Sequence, residues 1–324
     1  MIMDKVCLTT FVYGHKYQDY IPILVYTCKK AYPEYDIKIF LYETLKADIR
    51  NLVEGFHFEG VDFYENTFCD CKSMTPLKSQ CLRWVLWDKS FNNYDYLYII
   101  DIDMLYLREP EPLHLQHVNH MQTTGLCYDN LLRLCERNPF SFFSFARRLK
   151  YAGLSAIYTF LFGCNTEYRA TGLHFISVRQ YYERLTEEKI EMYKKQIYDM
   201  SFLRYVMTPN DEILLYKILE NEGLHPERLG LQTDPVTMLD FNNTQRLEFR
   251  PHHGIHLGIF RLEPDDIKNH PSFSKILNSS AYDFYRQQYR VNLFNDPVFQ
   301  NLISVSSSKV KSYFEKLHEV YDFQ

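Results

Sequence analysis

Between Lys5 and Ile100 the chain alternates short apolar runs with longer segments whose apolar residues recur at helical spacing. "KVCLTTFVYG" (5–14), "DIKIFLYE" (36–43) and "GVDFYEN" (60–66) read as strands. "YIPILVYTCKKAYP" (20–33), stopped near Pro33, and "LKADIRNLVEGF" (45–56) read as helices. "TPLKSQCLRWVLWDKSF" (75–91) reads as a third helix, capped by Thr75 and with Pro76 in its first turn. This β-α-β-α-β order predicts right-handed crossovers and a mostly parallel central sheet flanked by helices, an α/β class.

The strand that follows, 94–100, poses a chemical question. Tyr96, Leu97, Tyr98, Ile99 and Ile100 suit a strand buried on both faces, yet the run "YLYIIDIDMLYL" continues into Asp101 and Asp103. Open sheets bind ligands beyond the carboxyl ends of their strands. Asp101 and Asp103 hold that place for this strand, and Thr9 to Tyr13 hold it for the first. Two carboxylates at i and i+2 can turn toward one hard cation, Mg²⁺ or Mn²⁺, with a phosphate-bearing ligand completing the shell. The pair is the one Asp-x-Asp in the chain. A solvated turn or a pair of caps is its plain structural reading.

"YLYIIDIDMLYL" resembles the metal-binding Asp-x-Asp of nucleotide-sugar-dependent glycosyltransferases with the GT-A fold, a Rossmann-like architecture. The resemblance is nearest to the family-eight-like enzymes of bacterial surface polysaccharide synthesis and covers most of residues 5–262. "LTTFVYG" resembles their nucleotide-contacting first strand, which implies donor contacts from Thr9, Thr10 and Tyr13. "SQCLRWVLWD" resembles the helix that offers an arginine to the donor, here Arg83, with Lys78 a second candidate. "YRATGLHFISV" resembles their Asn-Ala-Gly strand and implies a sugar contact at Gly172, although Ala170-Thr171-Gly172 departs from that pattern. "MTPNDEILLYKIL" resembles the segment whose acidic residue opens a helix, which makes Asp211 the catalytic candidate. "HHGIHLGIFR" resembles the late histidine-glycine-basic motif, implying His256 as metal ligand beside Asp101 and Asp103, and Gly258 and Arg261 at the donor. His256 precedes Gly258 by two rather than three, Arg261 replaces a lysine, and His253 is an alternative ligand.

Each residue also has a bland reading. Arg83 lies off the face of Leu77, Cys81 and Val85, so it reaches a phosphate or is merely solvated. Its removal is then expected to leave the fold intact. Asp211 follows Thr208-Pro209-Asn210 and fits a capping box, so a structural cap competes with a sugar contact or an acceptor base. His252, His253 and His256 crowd one short loop. For Asp103 the metal reading expects no stability loss on changing it to asparagine, because an empty cluster of acids repels itself.

The resemblance implies a metal-dependent hexosyltransferase that moves a sugar, with retention, from a nucleoside diphosphate, UDP by expectation, to a saccharide or lipid-linked acceptor. The metal would be Mn²⁺ or Mg²⁺. Residues 1–262 would form the transferase domain and 263–324 a helical extension. Residues 131–162 would be an acceptor-side insertion, with Arg133, Arg137, Arg147, Arg148 and Lys150 among phenylalanines. A lid, an acceptor platform, a patch on anionic membrane and ordinary packing all fit that stretch. Two rivals remain: a haloacid-dehalogenase-like phosphatase with Asp265 and Asp266 as its late acids, and a non-catalytic nucleotide-binding copy of the same fold.

The 36 Lys and Arg against 41 Asp and Glu, a net charge of −5, argue against nucleic acid as partner. Asp4 and Lys5 interrupt the first apolar run, so neither a signal peptide nor a membrane span is expected. Peripheral contact at the inner membrane face is compatible with the expected cytoplasmic location. Eight cysteines without C-x-x-C spacing read as reduced thiols. The 27 tyrosines suit half-wet ligand platforms, or reflect a codon bias.

Overall fold

The structure, a computed structural model, describes residues 4–136, 166–200, 211–232, 237–239, 246–248 and 253–322. Most of the 131–162 stretch, the Thr208 to Asn210 cap and His252 lie outside the described residues. Strands β1 (Val6–Val12), β2 (Asp36–Leu41), β3 (Val61–Tyr64) and β4 (Tyr96–Ile99) pair in parallel in the order β3-β2-β1-β4. Helices α1 (Ile21–Ala31), α2 (Ala47–Glu54) and α3 (Pro76–Leu82) fall in the connections between them. A two-residue strand β5 (Met104–Leu105), helix α4 (Leu113–Thr124) and the short strand β6 (Tyr128–Asp129) follow. The pair β7 (Leu132–Glu136) and β8 (Thr166–Ala170) belongs to a second sheet, and β9 (His174–Ser177) returns to the first. There β9 runs antiparallel to β4, and β6 antiparallel to β9, so five of the six strands share one direction. The α/β class with a mostly parallel sheet flanked by helices is the observed one.

Both faces of the parallel strands are greasy because both are covered. Val6, Leu8 and Val12 pack with Ile37, Ile39 and Tyr98 against α1, while Cys7, Phe11, Leu97 and Ile99 pack with Cys81, Leu82 and Trp84 on the other side. Such burial explains why these strands read as continuous apolar runs. The chain beyond Pro264 is helical, as expected, and its Tyr285, Tyr289, Phe299, Phe314 and Leu317 share a core with Tyr20, Ile23 and Tyr26 around α1. Many tyrosines are therefore core rather than platform: Tyr20, Tyr32, Tyr98, Tyr106 and Tyr181 are all fully buried. Cys7, Cys28, Cys71 and Cys81 are buried free thiols. Among the described residues no helix is long and apolar enough to cross a membrane.

The helix expected over 75–91 stops at Leu82. Thr75 caps it as read, its hydroxyl accepting from the Lys78 amide at 3.2 Å. Every residue from Cys81 to Leu86 is buried, however, and an α-helix offers the core only one stripe. The chain tightens into a 3₁₀ turn at Arg83–Val85 and becomes extended at Leu86. Further along, the helices Val178–Arg184 and Glu187–Tyr198 are separated by a break at the buried Leu185.

Glu109 ties four parts of the molecule together. Its carboxylate, with no exposure, accepts from Tyr285 of the C-terminal helices, from Gln116 of α4 at 2.9 Å and from His253 Nδ1 at 3.1 Å. Its own amide donates to the Tyr32 hydroxyl just after α1 at 3.1 Å. Burial alone would raise the Glu109 carboxyl, but the bonds from His253, Gln116 and Tyr285 bring it down from 4.5 to about 2. A depressed carboxyl stabilises the fold above its unfolded pKa, and that stability is lost as pH falls from about 4.5 toward 2. The shift corresponds to about 3 kcal/mol. Denaturant melts between pH 7 and pH 2 are expected to show this loss in the parent. Glu109→Gln should be destabilised at pH 7 by a similar amount and show a flatter acid limb.

Candidate active site at the ends of β1 and β4

The loops leaving β1 and β4 open onto a cleft of about 600 Å³. Thr10, Tyr13, Arg83, Asp101, Asp103, Gly172, Asp211, His256, Gly258 and Arg261 all line it, so ten of the twelve residues singled out from the sequence converge there. Thr9 and Lys78 do not. Thr9 is buried one residue short of the cleft lining, which begins at Thr10, and the ammonium of buried Lys78 is spent on Ser73 Oγ at 2.8 Å and the Tyr198 carbonyl at 2.7 Å.

Arg83 occupies the break after α3. Its Nη1 meets Asp101 Oδ1, its Nη2 donates to Asp211 Oδ2 at 2.7 Å, and its guanidinium lies over the Trp84 ring, 4.1 Å from the centroid. At 8% exposure it is buried, not a solvated residue on an outer helix face. Burial pushes the Asp101 carboxyl up, with Asp103 and Asp211 adding to the rise and Arg83 and His256 opposing it. Arg83 itself is held firmly protonated, because Asp101 and Asp211 outweigh its burial.

His256 reaches Asp103 through a pairing remote in sequence. The two-residue strand Ile255–His256 runs antiparallel to β5, with His256 opposite Met104, and Leu257 N donates to Asp103 O at 2.9 Å. His256 Nε2 then lies 3.1 Å from Asp103 Oδ1. Burial would lower the imidazole, yet Asp103 and Asp101 push it up to about 9. The Asp103 carboxyl is correspondingly held below its usual range by His256, against its own burial. A Cβ on Gly258 would sit 2.7 Å from Asp103 Oδ2 and 3.1 Å from His256 Nε2, so only glycine lets the backbone approach this pair. His253 is locked to Glu109 and does not line the cleft, and among the described residues His256 is the histidine that does.

Among the described residues no cluster of three or more His, Cys, Asp or Glu is disposed to hold a metal ion. Asp103 and His256 are a carboxylate and an imidazole facing across a glycine, a donor set that suits a divalent transition ion. Asp101 is turned to Arg83, while Asp103 faces His256. The pair fits a cation that takes its remaining ligands from a bound phosphate and water.

The cleft lining also includes Arg133, named within the acceptor-side stretch, and two residues that sequence reasoning did not single out, Glu212 and Arg169. Glu212, next to Asp211, pairs with Arg169 Nη1 at 2.9 Å. Adjacent acids at a helix start were the available signal. Asn130 left none: its Oδ1 accepts from Thr171 N at 2.7 Å and Thr171 Oγ1 at 2.8 Å, and its Nδ2 donates to the Leu173 carbonyl at 3.0 Å. That bracing fixes Gly172, where a Cβ would lie 3.2 Å from Arg83 Nη2 and 3.3 Å from Asp101 Oδ2. Phe273, from the C-terminal helices, closes one edge. Asp265 and Asp266 are exposed and do not line the cleft, so the late acid pair of the phosphatase reading is missing from it.

No protein-family model matches the chain, and no curated protein matches it in sequence. Solved structures do. The mannosyltransferase Ktr4p from S. cerevisiae in complex with GDP is 9% identical over 65% of this chain and 66% of its own, just under two thirds, with a TM-score of 0.42. Core-mannan synthase A from Aspergillus fumigatus in its Mn/GDP form is 10% identical, covering 78% and 80%, with a TM-score of 0.43. The galactosyltransferase LgtC with donor and acceptor sugar analogs is 15% identical, covering 65% and 70%, with a TM-score of 0.36. Likeness this distant leaves the function to the cleft's own residues.

The geometry reverses two expectations about stability. Arg83→Ala strands Asp101 and Asp211 in a half-dry site without their shared counter-charge, and is expected to cost about 3 kcal/mol, read as a lowered denaturant midpoint. Asp103→Asn removes the partner of His256 and should also lower the midpoint, by about 1–2 kcal/mol. An unchanged midpoint for either variant would contradict the pairing described.

Proposed function

We propose that the chain is a GT-A-type glycosyltransferase that moves a sugar from a nucleoside diphosphate, UDP by resemblance, to a saccharide or lipid-linked acceptor, in surface polysaccharide synthesis. One observation carries the reading. At the carboxyl ends of β1 and β4 a single cleft joins a carboxylate–imidazole pair, Asp103 and His256, to a buried arginine bridging Asp101 and Asp211.

Asp103 and His256 would hold the cation, Mn²⁺ or Mg²⁺, with Asp101 beside them. A divalent ion there supplies Lewis-acid stabilisation of the departing diphosphate. The chain's own groups do the rest. Arg261, exposed at the rim, adds charge-assisted bonds to the diphosphate. Arg83 fixes Asp101 and Asp211 in one orientation, and Asp211 contacts the transferring sugar from the side of Gly172. Thr10 and Tyr13, at the end of β1, contact the nucleoside. The anomeric carbon develops positive charge as the bond to the diphosphate lengthens, and the neighbouring carboxylates stabilise it electrostatically. The resemblance implies retention of configuration. The placement of the chain at the inner membrane face belongs to the same proposal.

Asp103→Asn tests the reading. A ligand that binds only the folded state raises stability by RT ln(1 + [L]/Kd). UDP and GDP, each with and without Mn²⁺, are therefore expected to show a metal-dependent melting shift in the parent that vanishes in the variant. Sugar transfer or donor hydrolysis should disappear with it. A metal-responsive, active variant would refute the assignment. Nucleotide binding without turnover in the parent would favour the non-catalytic reading.

A further inference from the structure

Arg133 and Arg169 stand directly opposite one another in the antiparallel pair β7–β8, and both side chains line the cleft wall. Like charges directly opposite on neighbouring strands repel. Burial pushes the Arg133 guanidinium down, and Arg169 adds to that effect against the pull of Glu212. Two neutral side chains would pair these strands at lower electrostatic cost. The surroundings orient both groups instead: Arg133 Nε donates to Gln232 Oε1, and Arg169 Nη1 is fastened to Glu212 Oε2 at 2.9 Å.

The position of this pair within the cleft is informative. A Cβ at Gly172 would lie 3.2 Å from Arg83 Nη2, 3.3 Å from Asp101 Oδ2 and 3.5 Å from Glu212 Oε1, so Glu212, the partner of Arg169, packs on this glycine. The pair that would hold the cation, Asp103 and His256, packs on a different glycine, Gly258, so the arginine wall adjoins Glu212 and not that pair. What faces it is the sugar being transferred or the group receiving it. A planar guanidinium fork matches a carboxylate in a bidentate way that a hydroxyl cannot.

We propose that Arg133 and Arg169 form a subsite for the carboxylate of a hexuronic acid, so that the enzyme handles an acidic sugar in preference to its neutral counterpart. The inference rests on the glycosyltransferase reading and adds a substrate class to it. The carboxylate can arrive on the donor or on the acceptor, and binding measurements separate the two. In the presence of Mn²⁺, UDP-glucose is compared with UDP-glucuronic acid, and GDP-mannose with GDP-mannuronic acid. Free glucuronate is compared with glucose on protein saturated with UDP or GDP. At least one acidic ligand should bind 10-fold or more tighter than its neutral partner, in the first comparison for a donor carboxylate and in the second for an acceptor.

Arg133→Gln and Arg169→Gln should each erase that ratio while leaving the affinity for UDP or GDP itself unchanged. If a glutamine variant does not fold, Arg169→Lys, which keeps the charge and loses the fork, should reduce the ratio without abolishing it. Equal binding of acidic and neutral ligands by the parent would overturn the inference while leaving the glycosyltransferase reading standing, as would a ratio that survives in the variants. Failure of UDP and GDP to bind at all would overturn both.

Discussion

The buried guanidinium of Arg83 is the contact on which the cleft depends. It joins three elements distant in sequence: the break after α3, the loop leaving β4 and the start of the helix Asp211–Asn221. Two carboxylates and one guanidinium out of bulk water are stable only as a bonded set, since removing one member leaves uncompensated charge. The set therefore stabilises the fold and orients Asp101 and Asp211 at once. Stacking on Trp84 fixes the guanidinium plane from the protein side.

A second linkage runs from the C-terminal helices to the cleft. Tyr285 donates to Glu109, Glu109 accepts from His253, and His253 lies three residues before His256 on the segment that pairs with β5. Through that chain of buried hydrogen bonds the helical region holds the loop bearing His256 against Asp103. The extension also lends Phe273 to the cleft directly.

The expectations that held and those that did not differ in range. Thr75 as cap, Asp101 and Asp103 past the end of a buried strand, and the alternation of strands and helices are local statements, and local preference agrees with the fold at each. The long helix 75–91 did not form because six consecutive buried residues override helical periodicity. Arg83 seemed free on its helix face because the face itself ends at Leu82. Lys78, the second donor candidate of that helix, has its ammonium bonded to Ser73 and the Tyr198 carbonyl, contacts that no local pattern announces. Asn130 carries no pattern of its own: its worth lies in six hydrogen-bond contacts, with Leu131, Thr171, Leu173 and His174.

What the amino-acid order determined by itself is the α/β class, the parallel βαβ core and the place where two acids leave the sheet, because hydrophobic period and caps act over a few residues. Only the tertiary structure decided which charges meet. The meeting of His256 with Asp103 and of His253 with Glu109, the pairing of Asp101 with Arg83, and the facing of Arg133 with Arg169 all follow from strand register and packing between segments tens to more than a hundred residues apart. Pairing of charges is a property of distance, and distance is set by the whole chain's burial.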